Sequence, residues 1–256
     1  MKALILAGGM GSRLREETIV KPKPMVEIDG RPILWHIMKG LSFYGIKDFV
    51  IAAGYKSEMI KDYFLHFDSR NHDFTVRTGK NNSLVIHDEQ VQDHWTVTVS
   101  DTGTHTLTAG RILQASKYLD NEPFLVTYGD GLSDVNVNDL QNFHLNTGLL
   151  ATVTVVQPKS RFGVLTVAQN GKVLDFKEKS KIDGWINAGF FIFQPEVLEY
   201  LNENEALEDS AMTNLVKDSQ LGAFQHYGFW QPMDTLREME LLEQLCVSKD
   251  PPWKIW

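Results

Sequence analysis

The sequence of 256 residues contains a single cysteine, Cys246. That excludes an internal disulfide framework and any cysteine-cluster metal site, and it fits a reducing compartment. Cys246 stands in the apolar run LLEQLCV, where it reads as a buried structural thiol. No stretch approaches the ~20 apolar residues of a membrane span. The first apolar run, Ala3–Ala7, is followed at once by glycines and arginines, so it reads as a strand rather than a signal peptide, and cytoplasmic location is expected. Basic residues are the minority, 25 against 33 acidic, for a net charge of −8. A general nucleic-acid binder needs a basic face to displace counterions, so that class is disfavoured, as is docking on anionic membranes. The eight histidines never fall at H-E-x-x-H or other zinc-ligand spacing. There is no internal repeat and no low-complexity segment. What remains is an ordinary globular chain, long enough to bury a sizeable core.

Nearly continuous apolar runs at 2–7, 48–53 and 124–128 read as central parallel strands. Between them lie helical stripes. Leu34, Ile37, Met38 and Leu41 follow Pro32; Met59, Ile60, Tyr63 and Phe64 form a second stripe; Ile112, Ala115, Ser116 and Leu119 form a third. This alternation predicts right-handed crossovers and a parallel sheet. Strand patterns at 95–100, 151–156, 162–167, 172–176 and 186–193 predict antiparallel additions to that sheet or a small β subdomain. Helical patterns return at 196–201, near 210–219 and at 235–247. The polar stretch 68–83 predicts a mobile insertion, and the acidic stretch 203–210 a solvated surface. One α/β domain over 1–256 is expected, with β-rich elaborations.

The strongest local signal is LAGGMGSRL, directly after the first strand. Gly8, Gly9 and Gly11 let the backbone approach a ligand, and successive N–H groups in such a turn can cradle phosphate. A dinucleotide fingerprint fails because Leu14 stands at its third glycine position, and no G-x-x-x-x-G-K-[ST] string occurs. Lys21 and Lys23 then alternate with Pro22 and Pro24, which hold the backbone extended. A dibasic, proline-stiffened loop beside a glycine turn points to an anionic ligand.

Two carboxylates stand out. Asp130, flanked by Gly129 and Gly131, follows the strand FLVTY; it is either a simple Asp-Gly turn or a ligand-facing group at the sheet edge. Asp234 precedes a helix, but Thr235 and Glu238 form a capping box, which leaves Asp234 free to point elsewhere. A pair of carboxylates completed by phosphate oxygens and water is how Mg²⁺ is usually held. Farther on, Thr106 or Thr108 can cap a helix, and Arg111 in the first turn opposes the helix dipole. The tail PPWKIW brings Trp253 and Trp256 to dock on the domain or on another subunit.

LAGGMGSRL followed by KPKPM resembles the signature of sugar-phosphate nucleotidyltransferases, which make nucleoside-diphosphate sugars. EETIVKPKPMVEI, YGDG, INAGFF and FWQPMDTLRE are similar to the branch that uses CTP and glucose 1-phosphate. The resemblance implies a Rossmann-like α/β fold, with a mixed, mostly parallel central sheet flanked by helices. It implies Arg13 and Lys23 as catalytic residues. For the nucleotide it implies Leu6, Ala7, Gly8, Gly9, Gly11, Ser12, Thr106, Arg111 and Gly129, with Thr106 and Arg111 reaching the base. Asp130 and Asp234 would hold Mg²⁺. Glu178 and Lys179 would meet the sugar hydroxyls and sugar phosphate. Asn187 and Gly189 would line the sugar pocket, although Asn187 reads equally well as an interior strand amide. Ser180 departs from the proline usual after the family's Glu-Lys pair. The implied partners are CTP and glucose 1-phosphate, with a homo-oligomeric assembly. The same chemistry with UTP or dTTP is the main alternative. A non-catalytic sugar-nucleotide sensor is another.

Overall fold

Strand β1 (Ala3–Ala7) is buried at all five positions, as a strand covered on both faces must be. It lies inside a seven-stranded sheet with β2 (Asp48–Ala53), β3 (Thr96–Asp101), β4 (Phe124–Tyr128), β5 (Ala151–Val156), β6 (Ile186–Phe193) and β7 (Leu221–His226). The computed structural model describes residues 1–79, 82–87, 93–158, 164–177, 184–248 and 250–256. The spatial order is β7-β5-β6-β4-β1-β2-β3. Only β6 runs antiparallel to its neighbours, so the sheet is mixed and mostly parallel.

Alternation along the strands divides the core in two. Ala3, Ile5, Ala7, Phe49 and Ile51 face one layer, containing α1 (Ile33–Phe43), α2 (Ser57–Leu65), α4 (Val137–Thr147) and α6 (Leu236–Val247). Leu4, Leu6, Val50, Phe124 and Val126 face the other, containing α3 (Thr108–Ala115) and α5 (Ser210–Lys217). The result is the expected Rossmann-like architecture, which gathers the loops after β1, β2, β3 and β4 at one sheet edge.

Several expectations change in detail. β3 pairs with β2 in parallel, so it is not an antiparallel addition, and β7, a strand the sequence pattern does not predict, pairs with β5 in parallel. Val164–Val167 and Val173–Lys177 form a separate antiparallel hairpin; Phe162 and Gly163, expected in its first strand, lie outside the described residues. The 68–83 stretch carries the end of the short helix Phe67–Asn71 and an exposed hairpin of Phe74–Arg77 with Ser83–Ile86. The pattern at 196–201 is a 3-10 helix, Pro195–Tyr200. Cys246 is only partly buried. No helix among the described residues is long and apolar enough to cross a membrane.

The tail docks on its own chain. Trp253 is 1% exposed and packs beside Phe229 and His36, while Trp256 lies edge-on to Trp35. His36 Nε2 lies 2.7 Å from the Ile28 carbonyl, and the Trp253 indole N–H donates to His36 Nδ1 at 3.4 Å. This pair of bonds requires a neutral ring with its proton on Nε2. Burial outweighs the pull of the Ile28 carbonyl and lowers the His36 pKa from 6.5 to about 4. Its contribution to stability is therefore full above pH ~6.5 and is lost as pH falls toward 4, reaching about 2 kcal/mol by pH 5. We expect wild-type protein to lose roughly 4–8 °C more in melting temperature than His36→Gln between pH 7.5 and 5. Equal losses in thermal melts would contradict this account of His36.

Candidate active site

A cleft of about 370 Å³ opens along the sheet edge where β1 and β4 end. Its floor is the glycine loop. Leu6 and Ala7 end the buried strand, and Gly8, Gly9, Gly11, Ser12 and Arg13 continue the lining. Gly11 turns the chain at φ +61°, a conformation costly for residues with a Cβ. Thr18, in the short helix Arg15–Thr18, pins this turn by donating its hydroxyl to the carbonyls of Gly11 at 3.0 Å and Leu14 at 2.9 Å.

Lys23 enters from a one-turn 3-10 helix started by Pro22 and Pro24. The residue is 8% exposed, and its Nζ donates to Asp130 Oδ2 at 2.6 Å and Asp234 Oδ1 at 2.5 Å. Burial pulls this ammonium toward its neutral form. The charges and hydrogen bonds of Asp130 and Asp234 outweigh that pull, so its pKa stands above the ordinary lysine value. Arg13 Nη1 reaches Asp234 Oδ2 at 2.9 Å, from a side chain that is mostly exposed. Lys21 does not join them; it pairs with Glu17 at 4.0 Å and Glu27 at 3.8 Å.

A small hairpin brings the two aspartates together. Gly131–Ser133 pairs with Trp230–Pro232, and Met233 N–H donates to the Asp130 carbonyl at 2.8 Å. The capping box of α6 is present: Thr235 accepts from Glu238 N–H, and the Glu238 side chain accepts from Thr235 N–H. Asp234 is thereby left free of capping and turns into the cleft, as its sequence context predicts. Among the described residues, no group of three or more His, Cys, Asp or Glu converges into a metal cage. Two aspartate oxygens facing one point do suit a hard cation that keeps water and phosphate oxygens in its remaining positions.

Arg111 lines the cleft, and it also makes a set of contacts that its sequence context does not predict. It is 4% exposed, and its terminal N–H groups donate to the carbonyls of Gly8 (3.0 Å), Ala53 (3.4 Å), Gly103 (2.8 Å) and Thr104 (3.3 Å), and to Thr102 Oγ1 (2.7 Å). This guanidinium ties together the loops after β1, β2 and β3 at the cleft that it lines. Burial lowers its pKa from the usual arginine value, with Asp101 acting in the opposite sense. Thr106 lies half-buried in the cleft, but the residue at the N-cap of α3 is Leu107, with no side-chain cap.

Gly54, which the sequence did not single out, belongs to the same tie. A Cβ there would stand 2.6 Å from the Gly103 carbonyl and 2.8 Å from the Gly8 carbonyl. Gly54→Ala must force these loops apart, at a cost of about 2–3 kcal/mol. Denaturant melts and nucleotide titration are expected to show lower stability together with weaker binding; unchanged values would mean the loops are not locked.

Gly129 packs against the Leu6 carbonyl in the cleft wall. Asn187 is exposed rather than interior, its Oδ1 accepting from Gly189 N–H at 2.8 Å, and neither residue lines the cleft. Glu178 and Lys179 lie outside the described residues. Sequence reasoning missed Tyr128, Leu107 and Glu208, all of which line the cleft.

The glycine loop, Lys23 and the Asp130–Asp234 pair thus meet at the carboxyl edge of the sheet. The chain belongs to the nucleotidyl transferase family, whose model matches residues 2–231. It is 48% identical to the glucose-1-phosphate cytidylyltransferase of Salmonella typhi over 259 residues, covering 100% of both chains. It is 42% identical to the probable glucose-1-phosphate cytidylyltransferase of Bacillus subtilis, again with 100% of both covered. A putative glucose-1-phosphate thymidylyltransferase from Bacillus anthracis shares the fold at a TM-score of 0.67 and 21% identity, over 96% of this chain and 94% of that one.

Proposed function

We propose that this enzyme transfers the cytidylyl group of CTP to α-D-glucose 1-phosphate, giving CDP-glucose and pyrophosphate. The observation that carries the reading is the convergence of Lys23, Asp130, Asp234 and Arg13 on the glycine loop. Full-length identity to cytidylyltransferases supports the choice of base and sugar.

The attacking sugar-phosphate oxygen is already an anion, so the protein need not supply a general base. The oxygen attacks the α-phosphorus in line, and pyrophosphate leaves. Positioning and charge neutralisation are the protein's main tasks. Arg13 and the glycine-loop N–H groups hold the triphosphate. Lys23 is charged, buried and mounted on a stiff loop, and it neutralises charge at the α-phosphate. Lys179 holds the incoming phosphate against repulsion by the nucleotide, and Glu178 meets the sugar hydroxyls. Asp130 and Asp234 would hold Mg²⁺, which when bound supplies Lewis-acid stabilisation of the phosphate oxygens. The resemblance supports a homo-oligomer, testable by sedimentation velocity, and the lone cysteine supports a cytoplasmic setting.

Pyrophosphate release with glucose 1-phosphate and each of CTP, UTP, dTTP and GTP tests the reading. CTP is expected to give the highest kcat/KM. A preference for UTP or dTTP would overturn the choice of base, and nucleotide binding without turnover would favour a sensor.

A further inference from the structure

The cleft crosses the sheet edge from one core layer to the other. Lys23 and Asp234 adjoin Met25 and Met233, which belong to the first layer, whereas Tyr128 packs against the second. On that second side, Tyr128, Thr108 and Glu208 come together from three separate segments. The Tyr128 hydroxyl donates to Glu208 Oε1, and the Thr108 hydroxyl donates to Oε2 at 3.3 Å.

Glu208 stands on a fixed mount. Its neighbour Leu207 is fully buried, and Leu207 N–H donates to Thr108 Oγ1 at 2.7 Å. Ala109 N–H donates to the Glu205 carbonyl at 3.3 Å. Gly110 permits this approach, because a Cβ there would lie 2.4 Å from the Glu203 carbonyl. The carboxylate itself remains exposed at the cleft. Leu107, the residue before Thr108, is 47% exposed and lines the same cleft. An open apolar side chain in the same cleft as a preorganised carboxylate suits a flat ring bearing an exocyclic hydrogen-bond donor.

We propose that Glu208 selects cytosine by accepting a hydrogen bond from its 4-amino group, with Tyr128 and Thr108 as positioning residues. The inference rests on the CTP reading above. An ionised carboxylate has acceptor sites beyond the two occupied here and has no proton to donate. Cytosine presents an N–H donor at position 4; uracil and thymine present a carbonyl oxygen, which the carboxylate repels. A site built to accept from a substrate N–H rejects the analogue lacking it more strongly than an apolar pocket could.

Glu208→Gln is the decisive variant, because the amide keeps the shape and gains a donor for a 4-keto group. We expect the ratio of kcat/KM for CTP to that for UTP to fall about tenfold or more. Calorimetric Kd values for the two nucleotides should shift in parallel, without a matching loss of melting temperature. Tyr128→Phe should move the ratio the same way by a smaller factor. Equal losses with both nucleotides would overturn the proposal. So would a loss seen with CTP but absent with dCTP, which would assign Glu208 to the ribose. A wild-type enzyme that prefers UTP overturns the CTP reading itself, before any variant is made.

Discussion

Asp234→Asn is expected to lower kcat about 10³-fold with glucose 1-phosphate and CTP, while melting near the wild-type temperature. Asp234 is the hub of the charged cluster: one oxygen receives Lys23 Nζ at 2.5 Å and the other receives Arg13 Nη1 at 2.9 Å. Asparagine keeps the volume but replaces one carboxylate oxygen with an N–H donor that points at a cation. One of the two proposed Mg²⁺ ligands is removed in the same step. The fold should tolerate the change because α6 does not use the Asp234 carboxylate. Thr235 and Glu238 cap that helix, and the backbone N–H of Asp234, retained in asparagine, donates to Glu238 Oε2 at 2.9 Å. Circular dichroism and thermal melts check the fold, and a coupled pyrophosphate assay reads turnover. Calorimetric titration with Mg²⁺ in the presence of CTP supplies a readout independent of turnover, and it should show weaker cation binding. Turnover within tenfold of wild type would remove Asp234 from the proposed machinery. Asp130→Asn should behave similarly, and the double variant should lose little more than either single one, because residues acting as a unit are not additive.

The legible parts of this molecule are those where one physical requirement dominates a short segment. β1, β2 and β4 are nearly unbroken apolar runs because both faces are covered. Asp234 could be separated from its helix because Thr235 and Glu238 satisfy the helix start without it. β7 was not legible: LGAFQH interleaves Gly222, Gln225 and His226 with apolar residues, as an edge strand with one exposed border can. Strand direction was hidden too. WTVTVS alternates like an antiparallel strand, yet β3 is the parallel edge of the sheet, with one face partly open. Arg111 could be recognised as anomalous from its place in a first helical turn, but four of its five partners are backbone carbonyls, those of Gly8, Ala53, Gly103 and Thr104, and carbonyls leave no trace in composition. Gly54 and Glu208 failed for the same reason. A lone glycine and a surface acid acquire meaning only through what folding sets beside them, here the Gly8 and Gly103 carbonyls and the Tyr128 hydroxyl.

Lys23→Met is expected to have opposite effects on two measurements. Turnover should fall by about 10³-fold or more, because the buried positive charge proposed to act at the α-phosphate is lost and methionine offers no donor. Binding of Mg²⁺ without nucleotide should instead become tighter. The Lys23 ammonium sits between Asp130 Oδ2 and Asp234 Oδ1, the two oxygens proposed to hold a divalent cation. If these carboxylates hold the cation as proposed, the ammonium competes with it for the same oxygens. Asp130 and Asp234 hold the Lys23 pKa above the ordinary lysine value, so the side chain is charged across the neutral range. With the ammonium gone, Arg13, which is mostly exposed, is the one remaining counter-charge paired with Asp130 or Asp234 among the described residues, an arrangement that favours any cation able to enter. Melting temperature titrated with Mg²⁺ reads this directly, since a cation bound only to the folded state stabilises it by mass action. A larger Mg²⁺-dependent rise in Lys23→Met than in wild type is the expected result. A smaller rise, or retained turnover, would mean that Lys23 supports the carboxylates structurally and does not exchange partners when the substrates bind.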